Sequence, residues 1–156
     1  MLTEFAENNA IGFILNRPLE FTIQDLLPDI NSQFKIYEGG PVEQDNLYFV
    51  HRVPNLIPES IAVSNGVYWG GNFSILKKLL QNNVLDSTEI RFFLGYSGWS
   101  EKQLLEEIKT DSWFVSDNDF ENVFSVNIET LWKNKLLQKG GEYKLWANAP
   151  NDFNQN

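Results

Sequence analysis

The chain has 156 residues, 42% of them hydrophobic and 14% aromatic, which is enough apolar side-chain mass for one folded domain and excludes a wholly disordered chain. It has no cysteine and one histidine, which excludes a disulfide framework, a zinc ribbon, a thiol nucleophile and a multi-histidine metal site. The formal charge of −9 disfavours a phosphate-neutralising nucleic-acid face and docking on anionic lipid.

In chain order, "IGFIL" (11–15) is short, apolar and partly β-branched, so it predicts a strand. "NRP" ends it, because Pro18 has no N–H to donate. Thr22 with Asp25 three residues on predicts a capped short helix, closed by Pro28. "FKIYE" (34–38) alternates and predicts a strand with one buried face, followed by a bend at "GGPVEQDN". "LYFVHRV" (47–53) is the next strand, with His51 on the same face as Leu47, Phe49 and Val53. Short strands near 61–63 and 67–69 flank Asn65-Gly66, a two-residue hairpin signal.

Asn72 caps a helix over 73–83 whose apolar stripe is Ile75, Leu76, Leu79 and Leu80. "EIRFFLGY" predicts a central strand, and Ser100 with Gln103 opens a helix over 101–109. "SWFV" (112–115) predicts a strand and residues 128–141 a helix stopped by Gly140-Gly141. "EYKLWAN" (142–148) predicts a last strand, and 149–156 a loose tail. Helices and strands are interspersed without a regular βαβ repeat. This predicts a single α+β domain over 1–148 with a mixed, mainly antiparallel sheet and three to four helices.

The chemistry-bearing segments are few. "GYSGW" places Ser97 between Gly95 and Gly98, next to Tyr96 and Trp99. A nucleophile elbow has glycine two residues to either side of the serine. Here the second glycine is one residue early, and His51, the available base, precedes Ser97 in the chain. The reading adopted is a tight turn out of a strand, with Ser97 bonding locally and Trp99 packing at the helix start. A serine hydrolase using Ser97 and His51 is the alternative. The Ser100-capped helix start could also receive a small anion.

"EGGPVEQDN" lacks the spacing and closing residues of a Walker loop, so Gly39, Gly40 and Pro41 read as a bend. Glu38, Glu43 and Asp45 read as solvated acids, with no cation-loop pattern. His51 reads as a hydrogen-bonded structural residue. Trp69 beside Gly70 and Gly71 could stack on a ligand or partner, although a place in the core suits it better. Candidate binding residues are therefore Gly39, Gly40, Pro41, His51, Trp69, Gly70, Gly71, Gly95, Tyr96, Ser97, Gly98 and Trp99, with no catalytic set, metal or cofactor expected.

No apolar run is long enough to span a bilayer, and the first residues lack the features of a secretory signal, so a cytoplasmic location is expected. Five blocks in order, "AIGFILNRPLE", "GGPVEQDNLYFVHR", "VYWGGNFSILKKLL", "FFLGYSGWSEKQLLEEI" and "DSWFV", resemble the YqgE/AlgH family, over about residues 3–146, with a tail of the Bacteroidetes type. The resemblance implies a bacterial, cytosolic protein whose curved sheet forms a partial barrel, with no family-wide enzymatic activity or cofactor. It also implies a regulatory role, since some members carry the label of transcriptional regulator. Many members have alanine at the position of Ser97, which weakens the nucleophile reading. Members usually have a further N-terminal segment with a strand, expected to be missing here, which would expose a sheet edge.

The resulting expectation is a non-enzymatic binding module acting through an unidentified protein partner. A small anionic ligand is a further option. Direct DNA contact is the third, disfavoured because no helix-turn-helix with a basic recognition helix is visible.

Overall fold

The structure, a computed structural model, describes residues 1–6, 9–110, 113, 115, 123–124, 130–141 and 143–147, with only the backbone at 4–6 and 146. The strands are β1 (Leu2–Ala6), β2 (Asn9–Gly12), β3 (Pro18–Thr22), β4 (Lys35–Glu38), β5 (Val42–His51), β6 (Ile61–Ser64), β7 (Val67–Trp69) and β8 (Ile90–Ser100). The helices are α1 (Ile23–Leu26), α2 (Phe73–Gln81), α3 (Glu101–Lys109), α4 (Leu131–Lys139) and α5 (Tyr143–Ala147).

The sheet runs β1-β2-β8-β5-β7-β6 and curls into a nearly closed, mainly antiparallel barrel. Strand β8 is its spine. One edge of β8 pairs with β5, from His51↔Ile90 to Val42↔Tyr96. The other edge changes partner along its length: β4 runs parallel beside Phe92–Leu94, then β2 runs antiparallel beside Ser97–Ser100. Strand β3 completes the set by pairing with β4.

The alternation of β8 sorts the core onto two faces. Ile90 and Phe92 join Ile36, Phe49 and the α2 residues Leu76 and Leu80. Phe93 joins Phe13, Tyr37, Val50, Val67 and Phe124. Phe13 stacks on Phe93 with centroids 4.7 Å apart, an offset arrangement that aromatic rings favour. The α2 stripe read from periodicity is the buried face, and Asn72 caps that helix by accepting from the Ile75 N–H at 3.2 Å. The Thr22–Asp25 capping box is also present, with Asp25 accepting from the Thr22 N–H at 2.7 Å. Asn65 (φ 47°) and Gly66 (φ 77°) make the hairpin turn between β6 and β7.

The described residues hold five helices where three to four were expected, a strand at Leu2–Ala6 that was not expected, and a strand at Asn9–Gly12 in place of 11–15; four further elements also differ from the sequence expectation. "GYSGW" is not a turn: β8 runs through it to Ser100, because β5 and β2 both hydrogen-bond to this stretch. Strand β5 starts at Val42, inside the expected bend, and carries extra residues between Val42 and Leu47 as a bulge. Residues 18–22 form a strand that Pro18 opens, a position where no ladder N–H is needed. "EYKLWAN" holds a helix, α5, not a strand: Gly140 and Gly141 both have positive φ and turn the chain back so that α5 packs on α4. The expected strand at 112–115 and the tail at 149–156 lie outside the described residues, apart from Trp113 and Val115, which are in no regular element.

The change of partner along β8 is made by glycine. The Gly39 N–H donates to the Leu94 carbonyl at 2.7 Å, and the Gly39 carbonyl accepts from the Ile14 N–H at 2.9 Å. Gly39 therefore fills the gap between the end of β4 and the end of β2. A methyl group on Gly39 would overlap the Gly95 carbonyl, and one on Gly40 would overlap Ser97 and the Tyr96 backbone. One on Gly95 would stand 2.6 Å from the Gly40 carbonyl oxygen.

Gly39→Ala is expected to lose about 3 kcal/mol or more, because backbone must move on both sides. Gly66→Ala, which meets no atom within 4 Å, is expected to lose only about 1 kcal/mol from its positive φ. Urea unfolding of both variants checks this; equal losses would show that the close approach is not a constraint.

Candidate functional site

The two glycine motifs singled out in the sequence meet each other. Gly39, Gly40 and Gly95 are buried at the β4–β8–β2 junction, and the Ser97 hydroxyl donates to the Gly39 carbonyl at 3.4 Å. Ser97 thus bonds across 58 residues of sequence, not locally as expected. Tyr96 lies edge-on to Tyr48 at 5.5 Å. The Tyr48 hydroxyl donates to Glu43, and Asn46 Nδ2 donates to the same carboxylate oxygen at 2.8 Å. These bonds hold the Glu43 carboxyl below the usual carboxylate range. Pro41 and Gly98 are exposed at the two ends of this seam.

Trp99 packs edge-on against Trp113 at 5.2 Å, and the Trp113 indole N–H donates to Glu107 of α3 at 2.9 Å. Ser100 caps α3 by accepting from the Gln103 N–H at 3.2 Å. The Gln103 side chain turns away to Glu107 instead of closing the expected box. Helix α3 is thus tied to the end of β8 by tryptophan packing and a cap.

His51 is fully buried at the far end of β8. Its Nδ1 accepts from the Val53 N–H at 3.2 Å, so Nε2, 3.2 Å from the Gly70 carbonyl, carries the proton and donates. Both ring nitrogens are used within the fold. His51 pairs with Ile90 and Ser97 with Gly12, seven residues apart along β8. At the strand rise that is roughly 20 Å, too far for a base to reach a hydroxyl. The structure does not assemble the Ser97–His51 pair. Trp69 packs against Phe13 at 6.3 Å, and its buried indole N–H has no hydrogen-bond partner among the described residues. Gly70 and Gly71 both have positive φ, and a methyl on Gly71 would press on Ile57 at 2.7 Å.

One cleft formed by described residues lies elsewhere. It has a volume of about 230 Å³ and is lined by Gln33, Phe34, Lys35, Tyr37, Ser87, Ile90, Arg91 and Phe124. None of the twelve sequence candidates lines it. Its key residue is Arg91, 5% exposed on the Phe93 face of β8. The guanidinium lies over the Tyr37 ring at 4.5 Å, and Nη1 donates to the Leu15 carbonyl at 3.3 Å. The sequence signal for it was a cation inside an apolar strand run, since charged residues are seldom buried without a partner or a role. Among the described residues no group of three or more histidine, cysteine or acidic side chains is arranged to hold a metal ion.

Comparison with known proteins gives a consistent picture. Residues 1–144 match the model of a family described as AlgH-like. A UPF0301 protein of Cytophaga hutchinsonii is 39% identical over 154 residues, covering 97% of this chain and 85% of its own length. A UPF0301 protein of Chlorobium limicola is 38% identical, covering 96% and 81%. The solution structure of the AlgH protein from Pseudomonas aeruginosa superposes with a TM-score of 0.72 at 22% identity, over 96% of this chain and 82% of that one. A crystal structure of a Corynebacterium diphtheriae protein gives 0.73 at 18%, over 96% and 81%. At these identities the two structures show a shared fold.

The His51 environment generates a pH prediction. Burial pulls the imidazole pKa below its ordinary 6.5, and the Gly70 carbonyl opposes this only in part. The unfolded chain takes up the proton near 6.5 and the folded chain at lower pH. The neutral ring's contribution to stability is therefore complete above 6.5 and is lost as pH falls through the folded-state pKa. NMR titration of this single histidine is expected to give a pKa below 6.5, with the urea midpoint falling over the same window. A pKa at or above 6.5 would contradict the buried neutral ring.

Proposed function

The chain belongs to the AlgH-like family, and on that footing we propose that it is a non-enzymatic binding module, regulatory in role, that works through protein contacts in the cytoplasm. The observation that carries this reading is the outer surface of α4 and α5. On these two helices Trp132 is 54% exposed and Leu145 76%, and Leu137 and Tyr143 are also exposed. Large apolar side chains left exposed on adjoining helices mark interaction surfaces, and tryptophan and tyrosine are the usual anchors of protein interfaces.

Charge points to the kind of partner. Residues 131–147 contain four lysines and one glutamate in a chain whose net charge is −9. Lys139 Nζ lies 4.5 Å above the Tyr143 ring, so the cationic and aromatic groups share one surface. A protein with an apolar patch rimmed by acidic side chains complements it. No described helix is long and apolar enough to cross a membrane.

The test is affinity capture of the tagged chain from lysate, with and without nuclease, beside a Trp132→Ser/Leu145→Ser variant shown to be folded by circular dichroism. Protein partners that survive nuclease and are lost from the variant are expected. Partners lost on nuclease treatment would favour nucleic-acid contact instead, and partners kept by the variant would remove α4–α5 from the reading. A fluorophosphonate probe is expected to leave Ser97 unmodified in intact-mass analysis. An adduct absent from Ser97→Ala would restore the hydrolase.

A further inference from the structure

We infer that the β6–β7 turn is a site of spontaneous covalent modification, in which the Asn65 side-chain amide is lost to attack by the Gly66 backbone nitrogen and isoaspartate is left in the main chain. The site is independent of the α4–α5 surface.

The first observation is the chemistry of the pair. Asparagine is among the thermolabile residues, and Asn65-Gly66 is the one place in the chain where glycine follows it. The Gly66 nitrogen bonds to the side-chain carbonyl carbon of Asn65, and the bond from that carbon to the amide nitrogen breaks. Ammonia leaves and a cyclic succinimide remains. Water then opens either carbonyl of the ring. One opening gives aspartate at position 65; the other gives isoaspartate, whose main chain runs through the former side chain. The balance needs no oxidant or co-reactant besides water. A side chain on the following residue would crowd the attacking nitrogen, and glycine has none.

The second observation is how the turn presents the pair. Asn65 and Gly66 are both exposed, and a methyl group on Gly66 would meet no atom within 4 Å. The Asn65 side chain makes no hydrogen bond to a described residue, and the Gly66 N–H donates to no described carbonyl. Other asparagines are held by their amides. Asn72 Oδ1 accepts from the Ile75 N–H and its Nδ2 donates to Glu59, both at 3.2 Å. Asn82 Nδ2 donates to the Lys78 carbonyl at 2.7 Å, and Asn46 Nδ2 to Glu43 at 2.8 Å. Each of these three is followed by a residue with a side chain.

The third observation is the place of the turn in the sheet. Asn65 has φ 47° and Gly66 φ 77°, the left-handed pair that a two-residue hairpin needs. Ring closure rotates the peptide between them out of that geometry, so it proceeds from an opened hairpin. Strand β6 is four residues long, lies at the end of the sheet and pairs only with β7, so local opening does not require the whole barrel to unfold. The product then works against closing. Isoaspartate adds a main-chain atom to a loop whose length sets the register Ile61↔Trp69 and Ser64↔Val67. Val63 and Val67, on either side of the loop, both pack in the core cluster that holds Phe13 and Phe93. The modified turn therefore loosens β6 and uncovers the edge of β7.

Incubation of the purified chain at physiological temperature and mildly alkaline pH, followed by peptide mapping, tests this. The mass change of an amide-to-acid exchange is expected at Asn65 before Asn46, Asn72 or Asn82, together with methyl acceptance from an isoaspartyl methyltransferase. The urea midpoint of the aged chain is expected to fall. Asn65→Gly keeps a two-residue turn and is expected to show no methyl acceptance at this peptide and an unchanged midpoint after the same incubation. Gly66→Ala is expected to slow conversion at least several-fold. Asn65 left intact over a period that converts it in the urea-unfolded chain would overturn the site. So would earlier conversion at Asn46, Asn72 or Asn82, or an undiminished rate in Gly66→Ala. Isoaspartate at 65 with an unchanged urea midpoint would overturn the loosening of β6.

Discussion

Where Gly39 and Gly40 cross Gly95, two stretches of backbone lie closer than any side chain allows. At this crossing β8 exchanges β4 for β2 along one edge while β5 bulges past on the other. A parallel neighbour and an antiparallel neighbour cannot share an edge without an interruption, since their hydrogen bonds run in different patterns. Gly39 bridges that interruption, donating to Leu94 and accepting from Ile14. The junction lets one strand, β8, be shared by β2, β4 and β5.

Along the β5–β8 pair the junction leaves two polar groups buried near one end, on opposite faces. His51 is opposite Ile90, and Arg91 is opposite Val50. The fold treats them differently because their chemistry differs. Imidazole can give up its charge, and the fold holds it neutral with one donor and one acceptor. Guanidinium cannot, so it is placed against an aromatic face and a carbonyl at the edge of a cleft. One group is closed within the fold and the other is buried beside a cleft.

Much of this was legible in the sequence, and the misses share a cause. Helix caps, the α2 stripe, the Asn65-Gly66 hairpin and the parity of β5 are set by residues within a few positions of each other, so local patterns reveal them. "GYSGW" and "EGGPV" look like bends for the same local reason, because glycine and proline usually punctuate. Here Gly39, Gly40 and Gly95 are needed for space, and the atoms that demand it lie more than fifty residues away. Helix α5 was misread because alternation in "EYKLW" mimics a strand, and the glycine reversal that docks it on α4 outweighs so short a pattern. The cleft was illegible as a unit, since its lining comes from three separate parts of the chain. Arg91 alone carried a readable clue.

The order in which the strands are made has a consequence for how the barrel is assembled. Strands β2, β4 and β5 lie within residues 9–51, while the strand they share occupies 90–100. During synthesis these three elements leave the ribosome before their common neighbour exists. The β6–β7 hairpin can close on its own, but the central pairings must wait for β8 and then span roughly forty to ninety residues. Such distant contacts slow folding, and they leave β-rich edges uncovered while the chain waits. β8 is therefore both the last piece of the central sheet to arrive and the one that brings the others together.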